Sequence, residues 1–192
     1  MTTATSNQSR DRIVSAAQKL FWRDGVTATS PRDIMGESGV GQGSFYHHFP
    51  TKHDLAFTAI SDTVTSSLMA ARLQLQSEGR AYDRLVAYLT RERDAVFGCK
   101  IGRLTADPTV MTDNDLAMTV SSYFTDLTVL VRDVLIEQGR VESATDIAHA
   151  VVAVVQGGYV MAKATENPDV MRAAVRGFLA LLSEGLETSH EQ

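Results

Sequence analysis

Residues 29–55 read TSPRDIMGESGVGQGSFYHHFPTKHDL, and these 27 positions decide the fold. Ser30 stands before Pro31 with Asp33 three places on, an N-cap hydroxyl, a proline at the first helical position and an acid in the first turn. Ile34 and Met35 supply an apolar face, and Gly39 is placed to end the helix in the left-handed conformation. Gly39-Val40-Gly41 then makes a turn with Val40 as its apolar plug. A second short helix is expected over Gln42 to Phe49, closed by Pro50, which disfavours helical geometry in the residue before it. Thr51 and Asp54 repeat the capping arrangement for a third helix.

Helix, glycine turn and helix is the helix-turn-helix layout, in which the second helix enters the DNA major groove. Phe45 and Phe49, four apart, are expected to anchor that helix inward. Gln42, Gly43, Ser44, Tyr46 and His47 then face out. Glutamine can bond adenine through two hydrogen bonds, serine can reach a base edge or a phosphate, and tyrosine and histidine can reach phosphates. Gly43 lets the backbone approach the duplex, and Lys52 adds a charge beside a phosphate. Thr29, Ser30, Arg32 and Gly41 complete the expected contact set. The neighbouring His47 and His48 point about 100° apart on a helix, so no metal is expected there.

These motifs resemble the DNA-binding domain of the tetracycline-repressor (TetR) family of bacterial regulators. The resemblance rests on Ser30, Asp33-Ile34, Ser38-Gly39-Val40, Gly43-Ser44, Tyr46-His47-His48-Phe49 and Lys52, with Ile13, Val14, Ala16, Ala17, Leu20, Phe21 and Gly25 similar to the family's first helix and its exit. It covers about residues 9–56. Pro31 departs from the usual pattern, and Gln42 occupies a variable position, so the operator is not readable by analogy. The stretch Gly98-Cys99-Lys100-Ile101-Gly102-Arg103-Leu104 is similar to a Gly-Cys-x-x-Gly-x-Leu segment in one branch of the family, one that includes regulators of drug exporters and detoxification.

Composition is compatible with a cytoplasmic DNA binder. Apolar residues make up 44% of the 192, enough for a core, and no apolar run is expected to reach the length of a membrane span. The polar start MTTATSNQSR lacks a signal peptide's apolar segment, so residues 1–8 are expected to form a disordered lead. One cysteine excludes an internal disulfide. The net charge of -5 is unevenly spread, residues 1–54 carrying +1 and the remainder -6. Non-specific DNA affinity should therefore be low, with specific affinity drawn from two copies acting together.

The rest of the chain is helical by pattern, giving an all-α fold of about nine helices: a DNA-binding domain over 9–56 and a ligand-binding and dimerisation domain over 57–192. Helices are expected over about 9–24, 51–76, 80–97 (with Tyr82, Leu85, Leu89, Val96 and Phe97 inward), 113–138, 143–166 with Ser143 and Asp146 capping, and 167–185, with 98–108 short and bent. Residues 148–161, AHAVVAVVQGGYVM, are apolar or small almost all round, so they must be covered on more than one side. A two-fold dimer is expected through Ala150, Ala153, Val154, Gly157 and Gly158 with Val170, Ala174, Phe178, Leu181 and Leu182 of the last helix, and the resemblance implies the same pairing.

The resemblance also implies a small-molecule inducer in the body, moving the helix at 51–76 so as to spoil the half-site spacing. Met69, Phe97, Cys99, Leu104, Met111, Met118, Tyr123, Phe124, Gln156 and Tyr159 are the candidate lining, flexible apolar groups with a few polar handles. No cofactor is called for. Cys99, beside Lys100 and Arg103, raises the alternative of an electrophile or redox sensor, and a helix-turn-helix module that binds protein is the other. No phosphate loop, metal-ligand spacing or nucleophile motif appears, and His149 on its apolar helix reads as a core histidine, so an enzyme is not expected.

Overall fold

Every regular element among the described residues of the computed structural model is a helix; it describes residues 2–187, with side chains over residues 7–183. The first, α1 (Thr2–Asp24), buries Ile13, Ala16, Ala17, Leu20 and Phe21, the stripe that the helical period marks out. It starts earlier than expected. Residues 2–8, taken from their polarity as a disordered lead, are helical, and they hold no proline or glycine that would stop a helix from extending backward. Met1 lies outside the described residues. Gly25 ends α1 at φ +91°, its N–H bonded to the Phe21 carbonyl at 3.0 Å.

There follow α2 (Pro31–Ser38), α3 (Gln42–His48), α4 (Lys52–Leu75) and α5 (Ala81–Thr90), a 3-10 turn at Gly102–Ala106, and then α6 (Pro108–Thr112), α7 (Asn114–Glu137), α8 (Ala144–Ala164) and α9 (Asp169–Glu187). Two boundaries differ from expectation. α5 stops at Thr90 instead of running to 97, because Arg91 turns extended and the Arg93 guanidinium folds back to donate to the carbonyls of Tyr88, Leu89 and Arg91 at 2.6, 2.8 and 2.9 Å. Val96 is therefore half-buried and Phe97 exposed, where both were expected inward. At α8, Ser143 makes no side-chain cap bond. Asn167 does act at the start of α9, its Oδ1 accepting from the Asp169 N–H at 2.9 Å.

The chain divides into two compact units, one made of Met1–Ser67 with Lys100–Tyr123, the other of Leu68–Cys99 with Phe124–Gln192. The boundary expected at residue 57 falls inside α4, where Ala59 and Ile60 continue the buried face of Leu55 and Ala56. The first unit thus takes in a segment from mid-chain, and Asp107 ties it down. This buried carboxylate accepts from the Thr27 hydroxyl at 2.7 Å and the Thr27 N–H at 3.0 Å, and its Oδ1 also caps α6 through the Val110 N–H at 3.3 Å.

In the second unit α8 lies along α9. Gly158 sets the closeness, since a Cβ there would sit 2.8 Å from Met171 Cγ. α8 is, by length and composition alone, apolar enough to cross a membrane, so the expectation that no run reaches that length is corrected. Its buried residues, Ala144, Ala148, Val151, Val152, Val155, Gly158 and Ala162, form a single stripe at helical spacing, which is the pattern of a helix seated on a core.

Burial pushes the Asp107 carboxyl up, but its bonds from Thr27, Val110 and Val26 outweigh this and hold it below the usual carboxylate range. A depressed folded value means stability that is complete above the unfolded value, roughly pH 3.9, and is lost as pH falls through the folded one. Asp107→Asn should therefore lower stability by a constant amount from about pH 7 to 5, with the gap to wild type closing below about pH 4. Urea unfolding across that range checks it; an equal gap at every pH would rule out the carboxylate's charge as the source.

Candidate nucleic-acid interface

The helix-turn-helix is built from α2 and α3 against α1. Ser30 Oγ accepts from the Asp33 N–H at 3.3 Å, while Asp33 Oδ2 accepts from the Ser30 N–H at 2.9 Å and from its hydroxyl at 2.6 Å, a closed capping box. These bonds, from the Ser30 side chain first, hold the Asp33 carboxyl below its usual value. Gly39 ends α2 at φ +63°, and Val40 is buried in the turn. Arg12 of α1 donates to the Ser38 carbonyl and so caps α2 from outside. Thr51 and Asp54 make the same three bonds at the start of α4.

α3 presents the expected face. Phe45 and Phe49 are buried at 0% and 3% exposure, and Gln42, Gly43, Tyr46 and His47 are exposed with Ser44 half-buried. A Cβ on Gly41 or Gly43 would meet nothing within 4 Å, so neither glycine is demanded by this chain's own packing. Arg32 is exposed and Lys52 half-buried; burial pushes the Lys52 ammonium below its usual value, opposed by the charge of Asp107. Thr29 is the exception. It is 2% exposed and its hydroxyl donates to the Gly25 carbonyl at 2.7 Å, so it shapes the α1–α2 turn and is not on the outward face. Ser30 is likewise occupied by its cap.

Residues 13–59 match the model of the bacterial regulatory proteins of the tetR family, and residues 80–177 match that of the LmrA/YxaF-like transcriptional regulator C-terminal domain. The chain belongs to the TetR family. It is a helix-turn-helix transcriptional regulator. Relatives include an HTH-type transcriptional regulator from the lacX 3' region of Lactococcus lactis subsp. lactis, 23% identical over 175 residues that span 86% of this chain and 88% of that one. The HTH-type transcriptional regulator LmrA of Bacillus subtilis is 44% identical over 55 residues, 28% of this chain and 29% of it. Among solved structures, a TetR transcriptional regulator from Chloroflexus aurantiacus covers 94% of this chain and 97% of its own at TM-score 0.81 and 21% identity. A transcriptional regulator from Saccharomonospora viridis in complex with choline covers 91% and 96% at TM-score 0.73 and 19% identity. At these identities the structures show the TetR fold.

The pocket set expected for this TetR-family body is divided between the two units. Leu104, Met111, Met118 and Tyr123 belong to the first unit and Met69, Phe97, Cys99, Phe124, Gln156 and Tyr159 to the second. Met69, Phe97, Met111 and Met118 are 45–70% exposed and so form no enclosed wall within their units. Leu104 and Tyr123 are core, and Cys99, Phe124, Gln156 and Tyr159 are half-buried. Tyr159 does sit in a polar cluster: burial first, and then Cys99, push its hydroxyl up to about 12, with Arg93, Arg91 and Tyr88 close by.

Of the dimer set, Gly158 and Leu182 are buried within the chain, whereas Ala153, Gly157 and Leu181 are exposed and Ala150, Val154, Val170, Ala174 and Phe178 half-buried. His149 is exposed, bonded through Nδ1 to the Thr145 carbonyl at 2.9 Å, and not the core residue that its apolar helix suggested. His53, Asp113 and Asp115 bring potential ligand atoms within 4.8 Å of one another, although Asp113 already accepts from the Leu116 and Asp115 N–H groups and pairs with His53 at 3.2 Å.

Because the Ser30 cap is closed on both sides, Ser30→Ala should cost about 1 kcal/mol. Thermal unfolding should register this as a fall of roughly 2–4 °C in a chain of this size. An unchanged midpoint would mean that water replaces the cap without loss.

Proposed function

We propose that this regulator is a cytoplasmic homodimeric repressor that leaves its operator when a small-molecule inducer occupies the body. The carrying observation is the polar face of α3, with Gln42, Ser44, Tyr46 and His47 turned outward by two buried phenylalanines. Gln42 at the start of α3 is the base reader. Gly43 leaves room for the backbone to approach the groove, and Ser44, Tyr46, His47, Arg32, Lys52 and the Gly41 backbone hold phosphates. No catalytic role is assigned.

Dimerisation is supported by what α8 leaves uncovered. Besides its buried stripe it has a second one, Ala150, Ala153, Val154, Gly157, Val160 and Met161, exposed or half-buried within the chain. On α9, Val170, Ala174, Gly177 and Leu181 form a parallel row, with Leu181 70% exposed. A second copy covers these rows and sets two α3 helices one DNA turn apart, about 34–36 Å or a multiple. α8 is then an interface helix and not a membrane span. The choline complex of the S. viridis regulator supports a small-molecule effector for a body of this fold. An inducer acts by binding more tightly to the DNA-incompetent arrangement, and a coupling of about 1–3 kcal/mol is typical.

Fluorescence anisotropy against the region upstream of its own gene, at stated salt, tests DNA binding. Lys52→Ala should weaken binding to all sequences and lower the salt slope by about one, whereas Gln42→Ala should relax preference at one base position. Absence of binding at low micromolar protein and moderate salt would favour a protein-binding module instead.

Gly157→Glu tests the dimer. A Cβ at Gly157 meets nothing within 4 Å, so the substitution is accommodated by a single chain while it places a charge in the uncovered stripe. Sedimentation should show a monomer with unchanged helical circular dichroism and lost operator binding. A dimer that persists would move the interface elsewhere.

A further inference from the structure

A cavity of about 270 Å³ opens in the second unit between the C-terminal end of α5, with the loop after it, and α9. It is lined by none of the methionines and aromatics that the sequence suggested. Arg91 and Arg93 stand on one wall and Arg172 and Arg176 on the other, with Glu92 the single acid and the buried Met171 and Val175 as apolar surface. The volume lies just under the usual range for small-molecule sites, roughly 300–1,000 Å³, so a compact occupant is indicated.

The charges in this cleft are poorly matched. Arg172 pairs with Asp169 at 2.5 Å, but among the described residues Arg91, Arg93 and Arg176 join no ion pair. Arg93 is the most constrained. Its Nη atoms are fixed on the last carbonyls of α5, where the helix dipole favours a cation, while its buried Nε has no partner. Arg91 and Arg93 both lie over the Tyr88 ring, at 4.8 and 5.3 Å from its centroid, which keeps two like charges side by side. Burial, and then repulsion from Arg91, push the Arg93 guanidinium below its usual value. A half-buried cation without an anion carries a desolvation cost, and a carboxylate is the ligand whose geometry a guanidinium fork matches.

We propose that the α5–α9 cleft binds a small organic carboxylate, its head between the arginines of the two walls and its apolar body on Met171 and Val175. Its meaning as an inducer site rests on the regulatory reading above; the binding itself does not. A cation such as choline is repelled by this cleft, and a neutral analogue leaves the arginines unmatched.

Titration calorimetry on the full chain tests this with phenylacetate and hexanoate, against phenylacetamide and choline. The expected result is that a carboxylate binds and that the amide and choline bind at least about tenfold more weakly. The double variant Arg172→Gln/Arg176→Gln changes two exposed positions and leaves the α5 cap intact; it should bind the carboxylate at least about tenfold more weakly with wild-type circular dichroism. The proposal is overturned if neither carboxylate binds at about 10 mM, if the amide binds equally, or if the double variant retains full affinity. Operator anisotropy separates the two readings. A carboxylate that binds the cleft without changing DNA affinity leaves the site standing and removes its inducer role. If another compound releases DNA while no carboxylate binds, the cleft is refuted and the regulatory reading remains.

Discussion

A helix of seven residues has no stability of its own in water, where about 12–15 are needed even for favourable sequences. α3 is that short, its N-cap Gly41 offers no side-chain bond, and Gly43 lies within it. What holds it is the burial of Phe45 and Phe49 and its packing on α1, with Val40 closing the turn ahead of it. This constraint governs the rest. Base readout requires donors and acceptors placed to within hydrogen-bond tolerance, and a helix with nothing to spare for its own cohesion takes its direction from α1. That explains why α1, which presents no reading residue, carries so much of the buried surface around the turn.

Local chemistry was legible in the sequence wherever it was local. The Ser30–Asp33 and Thr51–Asp54 caps, the left-handed Gly39, the inward Phe45 and Phe49 and the outward Gln42 and Tyr46 all follow from spacings of three or four residues. The misreadings arise where a polar side chain turns back onto nearby backbone, or where the backbone departs from the geometry a cap needs. Thr29 looks like an exposed polar residue until its hydroxyl is seen bonded to Gly25, and Ser143 looks like a cap although its backbone is not set for one. The α5 pattern continues in apolar residues to Phe97, yet the helix ends at Thr90 because Arg93 satisfies its last carbonyls. The make-up of the two compact units was not legible either: composition cannot reveal that residues 100–123 fold into the first unit, through a carboxylate at 107 that bonds to Thr27. The exposure of Met69, Met111 and Met118 was not legible from composition, because a flexible apolar residue reads the same on either side of a helix.

α8 carries apolar residues on two sides. Its spacing carries two apolar stripes, and the structure covers only one of them. Gly158 and Gly157 are adjacent yet serve opposite sides: the first allows Met171 to approach within the chain, while the second faces open space. Small residues on the outer stripe keep its apolar area modest.

Charge on the reading unit supports the proposal of two copies. Of the cations in residues 1–54, Arg12 is committed to the Ser38 carbonyl, Lys19 to Glu37 and Arg23 to Asp24. Arg10, Arg32 and Lys52 remain, and Arg10 lies over the Phe49 ring. Each phosphate contact adds about 0.9 to the salt slope, so one copy with about three of them binds DNA weakly at physiological ionic strength. Weak single-copy binding is useful in a switch. If operator affinity comes mostly from two modest contacts made at once, a ligand need not abolish either; it need only disfavour the spacing at which both are made. A coupling of about 1–3 kcal/mol, roughly 5- to 150-fold in affinity, is then sufficient for release.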